Sequence, residues 1–206
     1  MNHATRIMVS TFGALVGLAG MEHGIGEILQ GNLPPAGLMI LSWPGSAFFH
    51  ALGGEPALTL LPNLLVTGIL AFLFSLIFLV WAVWFIQQKN SSLILVLLSL
   101  LMLLAGGGIF PPILGILIAV AAARLQTPQT WWRQHLSDPT RRFLEKLWPW
   151  SFAACLLAWL AMFPGLAVLG YFFGVNNTWL ILVLLCCMFG FLILSGVTGV
   201  ARDLRD

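Results

Sequence analysis

The sequence contains very few charged residues for its length. Only 8% of its 206 residues are Asp, Glu, Lys or Arg, whereas 60% are hydrophobic; an ordinary soluble domain has about 25% charged residues. This number of charged residues is too small to cover the surface of a soluble protein of this size. Most of the surface must therefore contact lipid rather than water. The composition therefore excludes an ordinary soluble domain. The small net charge of +2 indicates no nucleic-acid partner.

Cysteine is also rare, and catalytic motifs are missing. Cys155, Cys186 and Cys187 lie in apolar runs and form no CxxC or Cys/His pattern. The sequence has no nucleotide-binding glycine loop, no haem-attachment motif and no recognisable nucleophile arrangement. It therefore identifies no cofactor. A membrane enzyme acting on lipid or quinone would lack its acid–base residues, so we do not expect an enzyme.

Long apolar runs extend over most of the chain. The first, from Ile7 to about Leu29, is long enough for one span at about 1.5 Å per residue. The run 93–125 is too long for one span and is broken by GGGIFPP at 106–112, which predicts a hairpin of two short helices. We expect an all-α fold: a single integral membrane domain, 1–206, forming a polytopic transmembrane helical bundle of six membrane segments.

The region 31–56 interrupts this pattern. Its middle is apolar, but Pro34, Pro35 and Pro44 and several glycines break it. We therefore expect an interfacial or re-entrant helix there rather than a clean span. If the region did cross the membrane, the bundle would have seven spans.

The basic residues predict an orientation. With 93–125 folded as a hairpin and 31–56 not crossing, all nine Lys and Arg residues fall on one side of the membrane. The positive-inside rule makes that side the cytoplasm. Both termini, 87–92 and 126–146 are then cytoplasmic, and 31–56 lies outside.

The first helix carries a stripe of glycines with helical spacing. Gly13, Gly17, Gly20 and Gly24 fall within about 60° of one another on a helical wheel, and such stripes allow close helix approach in lipid. The stripe predicts either packing against another helix of this chain or a contact with a second copy or another membrane subunit.

Five polar residues are expected on the outer face, near the end of the first helix and in the segment that follows: Glu22, His23, Glu27, His50 and Glu55. No Lys or Arg is expected there to balance the carboxylates, which should then be protonated, hydrated or bound to a cation. Imidazole and carboxylate together suit zinc or another divalent transition metal. However, E-H-x-x-x-E matches no known metal motif, so a metal remains an open question. The helical wheel places His23 and Glu27 near the glycine stripe and Glu22 on the opposite side.

The glycine-rich break supplies a second candidate site, formed by Gly106, Gly107, Gly108, Pro111 and Pro112. Broken helices at membrane depth occur where backbone lines a cavity, since lipid cannot satisfy freed amides. The alternative is a tight outer turn between two short helices.

Two classes of function remain. The first is a small transporter or channel for protons, cations or a small solute, which uses the acidic outer pocket. The second is a non-catalytic structural or assembly subunit of a larger membrane complex. A transporter should direct the acidic residues toward an internal cavity. A scaffold should direct them outward and have its glycine stripe covered by a partner.

Overall fold

The computed structural model describes residues 3–125 and 130–204. The described chain is mostly helical, and four of its helices are long and apolar enough to cross a membrane: His3–Gln30, Leu64–Phe85, Asp138–Phe173 and Thr178–Asp203. This confirms the helical class and indicates membrane integration.

Among the described residues, helices α1 (His3–Gln30) and α2 (Leu64–Val80) make the most extensive helix–helix contact. A π-helical turn, Trp81–Phe85, extends α2. A Cβ on Gly17 would lie 2.6 Å from the Leu79 Cβ, and one on Gly24 would lie 2.7 Å from the Gly68 carbonyl oxygen. The glycine stripe is therefore packed against α2 within the chain, the first of the two alternatives that the sequence left open.

Helices α3 (Ser91–Leu104) and α4 (Phe110–Ala123) are antiparallel and short, at 14 residues each. The Ser92 hydroxyl near the start of α3 donates to the Ala119 carbonyl near the end of α4, at 2.9 Å. Pro111 and Pro112 lie in the first turn of α4, where proline's missing N–H is tolerated. A helix break is therefore present, at 105–109, whereas the last three residues of the predicted break at 106–112 belong to α4.

The remaining helices build the other half of the bundle. After α5 (Thr130–His135), α6 (Asp138–Leu160) passes through a π-helical turn, Ala161–Gly165, into α7 (Leu166–Phe173). Pro164 lies in this turn. Proline has no backbone N–H to donate, and the wider π-helical turn tolerates the missing hydrogen bond. Helix α8 (Thr178–Asp203) returns antiparallel to α6.

The segment between α1 and α2 differs from the expected interfacial helix. Strands β1 (Met39–Leu41) and β2 (Pro56–Leu58) pair antiparallel, with Ile40 opposite Ala57, and a short 3₁₀ turn, His50–Leu52, lies between them. The fold is therefore mostly rather than entirely helical. Prolines and glycines prevent a regular helix here, and the backbone groups are satisfied by a hairpin instead.

The two ends of the described chain meet at one end of the bundle. The Asp203 carboxylate, at the end of α8, accepts hydrogen bonds from the backbone N–H of Ala4 at 2.8 Å and of Thr5 at 3.0 Å. These N–H groups lie in the first turn of α1 and have no partner within the helix. We call this end the terminal end and the opposite one, which carries the β-hairpin, the distal end.

Candidate functional site

Five polar side chains meet at the distal end and form what we call the distal cluster. Glu22, His23 and Glu27 lie in the last turns of α1, and Ser42 and Glu55 come from the hairpin segment. His23 is 2% exposed, and Glu27 and Ser42 are completely buried. Sequence positions far apart thus form one buried polar site.

The hairpin backbone places Ser42 and Glu55 side by side. Beyond the strands, the ladder continues, because the Ser42 N–H donates to the Glu55 carbonyl and the Trp43 N–H to the Gly54 carbonyl, both at 3.0 Å. Glu55 has a positive φ of 59°, a conformation that non-glycine residues rarely adopt. Such outliers persist where the surrounding structure determines them and are frequent at functional sites.

Residues of α1 hold the hairpin segment in place. The Gln30 side-chain amide donates to the Leu41 and Ser42 carbonyls, each at 3.0 Å. Gly26 has no side chain to obstruct this approach: a Cβ there would collide with the Ser42 carbonyl and lie 2.8 Å from the Trp43 ring. These contacts place Ser42 against the face of α1 that carries His23 and Glu27.

A continuous chain of hydrogen bonds runs through the cluster. The Ser42 hydroxyl donates to Glu27 Oε1 at 3.2 Å, and His23 Nδ1 lies 2.8 Å from the same hydroxyl oxygen. Serine has one hydroxyl proton, so Ser42 accepts from the His23 Nδ1–H. In a neutral imidazole this leaves Nε2 as a lone-pair atom. His23 Nε2 faces Glu55 Oε2 at 3.1 Å.

The cluster also contains a set of possible metal ligands. One ligand atom from each of Glu22, His23 and Glu55 lies within 4.8 Å of the other two. The sequence predicted that Glu22 points away from His23 and Glu27, because a helical wheel separates them. The structure differs: Glu22 belongs to the same group of possible ligands as His23 and Glu55, and its carboxylate lies beside Trp43 of the hairpin segment.

The glycine-rich break between α3 and α4 packs directly on the distal cluster. Gly106 and Gly108 have positive φ values of 90° and 81°. A Cβ on Gly106 would collide with the Glu27 carboxylate, and one on Gly108 with the His23 imidazole ring. The two candidate sites that the sequence separated, the polar residues of α1 and the GGG break, thus form one site.

Gly106 also connects this break to the hairpin. Its N–H donates to the Leu58 carbonyl at 2.9 Å, and the Leu60 N–H donates to the Leu104 carbonyl at 3.0 Å. Nearby, the hydroxyls of Thr59 and Thr67 lie 2.9 Å apart. The loop that covers the cluster is therefore fixed by backbone hydrogen bonds to the segment that supplies Ser42 and Glu55.

A cavity of about 430 Å³ reaches the cluster from the half of the bundle formed by α6–α8. His23 and Glu55 lie in its wall, together with Phe110 at the start of α4 and Met162 in the π-helical turn. The His23–Glu55 pair is therefore accessible from this cavity, whereas Glu27 lies behind it.

The structure brings together four of the five predicted pocket residues. His50 also lines the cavity but is exposed and lies outside the cluster. Sequence reasoning missed Ser42, which joins His23 to Glu27. An isolated serine in an apolar, proline-interrupted segment carries no sequence pattern that marks it as a site residue. Its role depends on where the folded hairpin packs against α1.

The fold and site define a class of protein: a helical bundle with four candidate membrane spans and a buried carboxylate–imidazole cluster at one end. No protein-family model matches the chain, and neither the curated proteins nor the solved structures include a significant match.

Proposed function

We propose that this chain is an integral membrane transporter or channel for a proton or another cation, with the distal cluster as its binding site. The observation that carries this proposal is the position of the cluster, because a group of three carboxylates and an imidazole that is largely buried borders a cavity through His23 and Glu55.

The charge of the site supports a cation. Among the described residues, no Lys or Arg side chain is part of this cluster, and its one basic group is the His23 imidazole, which carries a charge only when protonated. Ionised carboxylates are costly in a region of low dielectric constant unless a positive partner compensates them. A site that collects Glu22, Glu27 and Glu55 around one histidine therefore favours a positively charged ligand.

The orientation of these residues favours transport over the scaffold alternative. A scaffold should direct its acidic residues outward and leave the glycine stripe for a partner. Here Glu27 is completely buried, and the stripe packs against α2. A second copy or another subunit would have to bind through a different surface.

The proposal includes six membrane segments: the four long helices plus the α3–α4 hairpin. At about 1.5 Å per residue, each hairpin helix is about 21 Å long, shorter than the roughly 30 Å hydrocarbon core. The antiparallel packing of consecutive segments puts basic residues at the terminal end, including Arg6, Lys89, Arg124 and Arg202. We therefore propose that the terminal end is cytoplasmic and the distal cluster faces outward.

Charge movement across liposomes tests the function. Purified protein is reconstituted, and currents are recorded on a solid-supported membrane after jumps in pH, Na⁺, K⁺, Ca²⁺ or Zn²⁺ concentration. At least one jump should produce a current that protein-free liposomes lack. Glu27→Gln should reduce it at least about tenfold, because a lost buried charge costs more than about 1.4 kcal/mol.

The matched control is Glu145→Gln, since Glu145 lies near the start of α6 at the terminal end. This variant should retain the wild-type current. Absence of current in every jump, or equal currents in both variants, would contradict the proposal.

A further inference from the structure

We infer that Glu22, His23 and Glu55 form a binding site for a divalent transition-metal ion of the zinc type. The inference deepens the proposed function, on which it rests for its biological role, because it names the class of cation.

The hydrogen bonds of His23 prepare Nε2 for a metal. The Ser42 hydroxyl donates a hydrogen bond to Glu27 and accepts one from the His23 Nδ1–H, so in the neutral imidazole Nε2 presents a lone pair 3.1 Å from Glu55 Oε2. In the neutral imidazole these two acceptor atoms repel each other, and either a proton on Nε2 or a metal ion held by both atoms relieves that repulsion. Metal-bound histidines nearly always donate their other N–H to an acceptor in this manner.

An unpartnered buried oxygen atom supplies a second, independent observation. Glu27 is completely buried, and its Oε2 has no hydrogen-bond partner among the described residues. Glu22 Oε1 is likewise shielded from solvent, and the Glu22 carboxylate lies beside the Trp43 side chain. Buried polar atoms in folded proteins are almost always satisfied, so the unpartnered Glu27 Oε2 favours a positively charged ligand in the distal cluster.

The donor set selects the kind of ion. One nitrogen and two carboxylate oxygens suit zinc and its neighbours, whereas Ca²⁺ and Mg²⁺ prefer oxygen ligands alone. The ligand atoms lie within 4.8 Å of one another. Tetrahedral bonds of about 2.0–2.2 Å set ligand separations of about 3.3–3.6 Å, so the widest pair must close by up to about 1.5 Å. Such a shift is within the range of side-chain rotation.

The cavity distinguishes an exchangeable metal site from a structural one. Structural zinc sites have four protein ligands, whereas three protein ligands leave one position open. His23 and Glu55 line the cavity of about 430 Å³, so the open position faces a route of entry and release. The site therefore suits an exchangeable ion.

Metal titration of the full chain in detergent tests the inference directly. Purified, chelator-treated protein is titrated with Zn²⁺ by calorimetry and with Co²⁺ by visible absorption, which reports a nitrogen–oxygen site. We expect one ion per chain. His23→Gln and Glu22→Gln should each weaken Zn²⁺ affinity by more than about tenfold, and Ser42→Ala by about 10–100-fold, as for partners that orient a ligand.

The control is His3→Gln, because His3 is exposed and lies at the opposite end of α1. Thermal unfolding without metal shows whether each variant folds. Among the cluster variants, Glu22→Gln should disturb the fold least, because Glu22 is only half-buried. No Zn²⁺ binding, or equal affinity in Glu22→Gln, His23→Gln and His3→Gln, would overturn the inference. A proton or Na⁺ current in liposomes without Zn²⁺ binding would overturn the metal site alone and leave the proposed function in place.

Discussion

At the scale of single residues, the distal cluster depends on positions without side chains. Gly26 admits the hairpin to α1, and Gly106 and Gly108 admit the α3–α4 loop. Both loop glycines have positive φ values, which residues with a Cβ adopt at a cost. Backbone thus approaches the cluster closely at these three glycines, and this arrangement helps to keep His23 and Glu27 buried.

Replacement of Gly108 by alanine tests this arrangement. We expect Gly108→Ala to lower the free energy of unfolding by at least about 1 kcal/mol, because the left-handed conformation disfavours a Cβ and the added methyl group displaces His23. The measurement is thermal or denaturant unfolding in detergent. Gly37→Ala is the control, since a Cβ there meets nothing within 4 Å. Equal stability of the two variants would show that the loop does not press on the imidazole.

At the scale of secondary-structure elements, the α1–α2 pair forms the base of the site. Close approach through Gly17, Gly24 and Gly68 allows van der Waals contact along both helices, the main source of helix association in lipid. This contact fixes the end of α1 and hence the positions of Glu22, His23 and Glu27.

Gly17→Leu should separate the two helices. Overpacking costs about 1–3 kcal/mol, and the new side chain would meet Leu79 and the Ser75 carbonyl, so the melting temperature in detergent should fall. Leu18→Phe serves as the comparison, because Leu18 is 53% exposed and faces away from α2. Unchanged melting of Gly17→Leu relative to Leu18→Phe would argue against a tight interface.

Asp203 links the two terminal helices. Asp203→Asn should lower the free energy of unfolding by about 1–3 kcal/mol, because buried N–H groups of α1 lose a charged acceptor and the helix N-terminus loses a favourable negative charge. Asp138→Asn is the matched control, since the Asp138–Arg141 pair is solvent-exposed and such pairs contribute little. Chemical denaturation in detergent measures both variants, and similar losses would contradict the capping role.

At the scale of the whole molecule, basic and acidic side chains are distributed unequally between the two ends of the bundle. Basic side chains gather at the terminal end, and the acidic cluster lies at the distal end. Asp203 holds the start of α1 and the end of α8 together, so the residues 3 and 203 share one side whichever way the bundle is oriented.

Cysteine labelling in intact cells tests the orientation. Cys155, Cys186 and Cys187 are first replaced by alanine or serine, and single cysteines are then introduced as Gly37→Cys and His135→Cys, both at exposed positions. A membrane-impermeant maleimide should label position 37 from outside and position 135 only after permeabilisation. Labelling of position 135 in intact cells would overturn the proposed topology.

Composition and periodicity alone predicted much of the architecture. Scarce charge and long apolar runs predicted helices suited to a membrane, the glycine spacing on α1 predicted a close helix contact, and GGGIFPP predicted a break. These features are local, because helix length, helical facing and helix-breaking residues are properties of neighbouring positions in the chain.

The site was decided by tertiary structure. Ser42 reaches Glu27 and His23, Glu55 reaches His23, and the GGG loop covers both residues of α1. The sequence predicted a helix at 31–56, whereas a hairpin forms, and with it Ser42 and Glu55 become neighbours on α1. No local pattern records such contacts, because they depend on which buried polar groups find partners once distant segments are packed together.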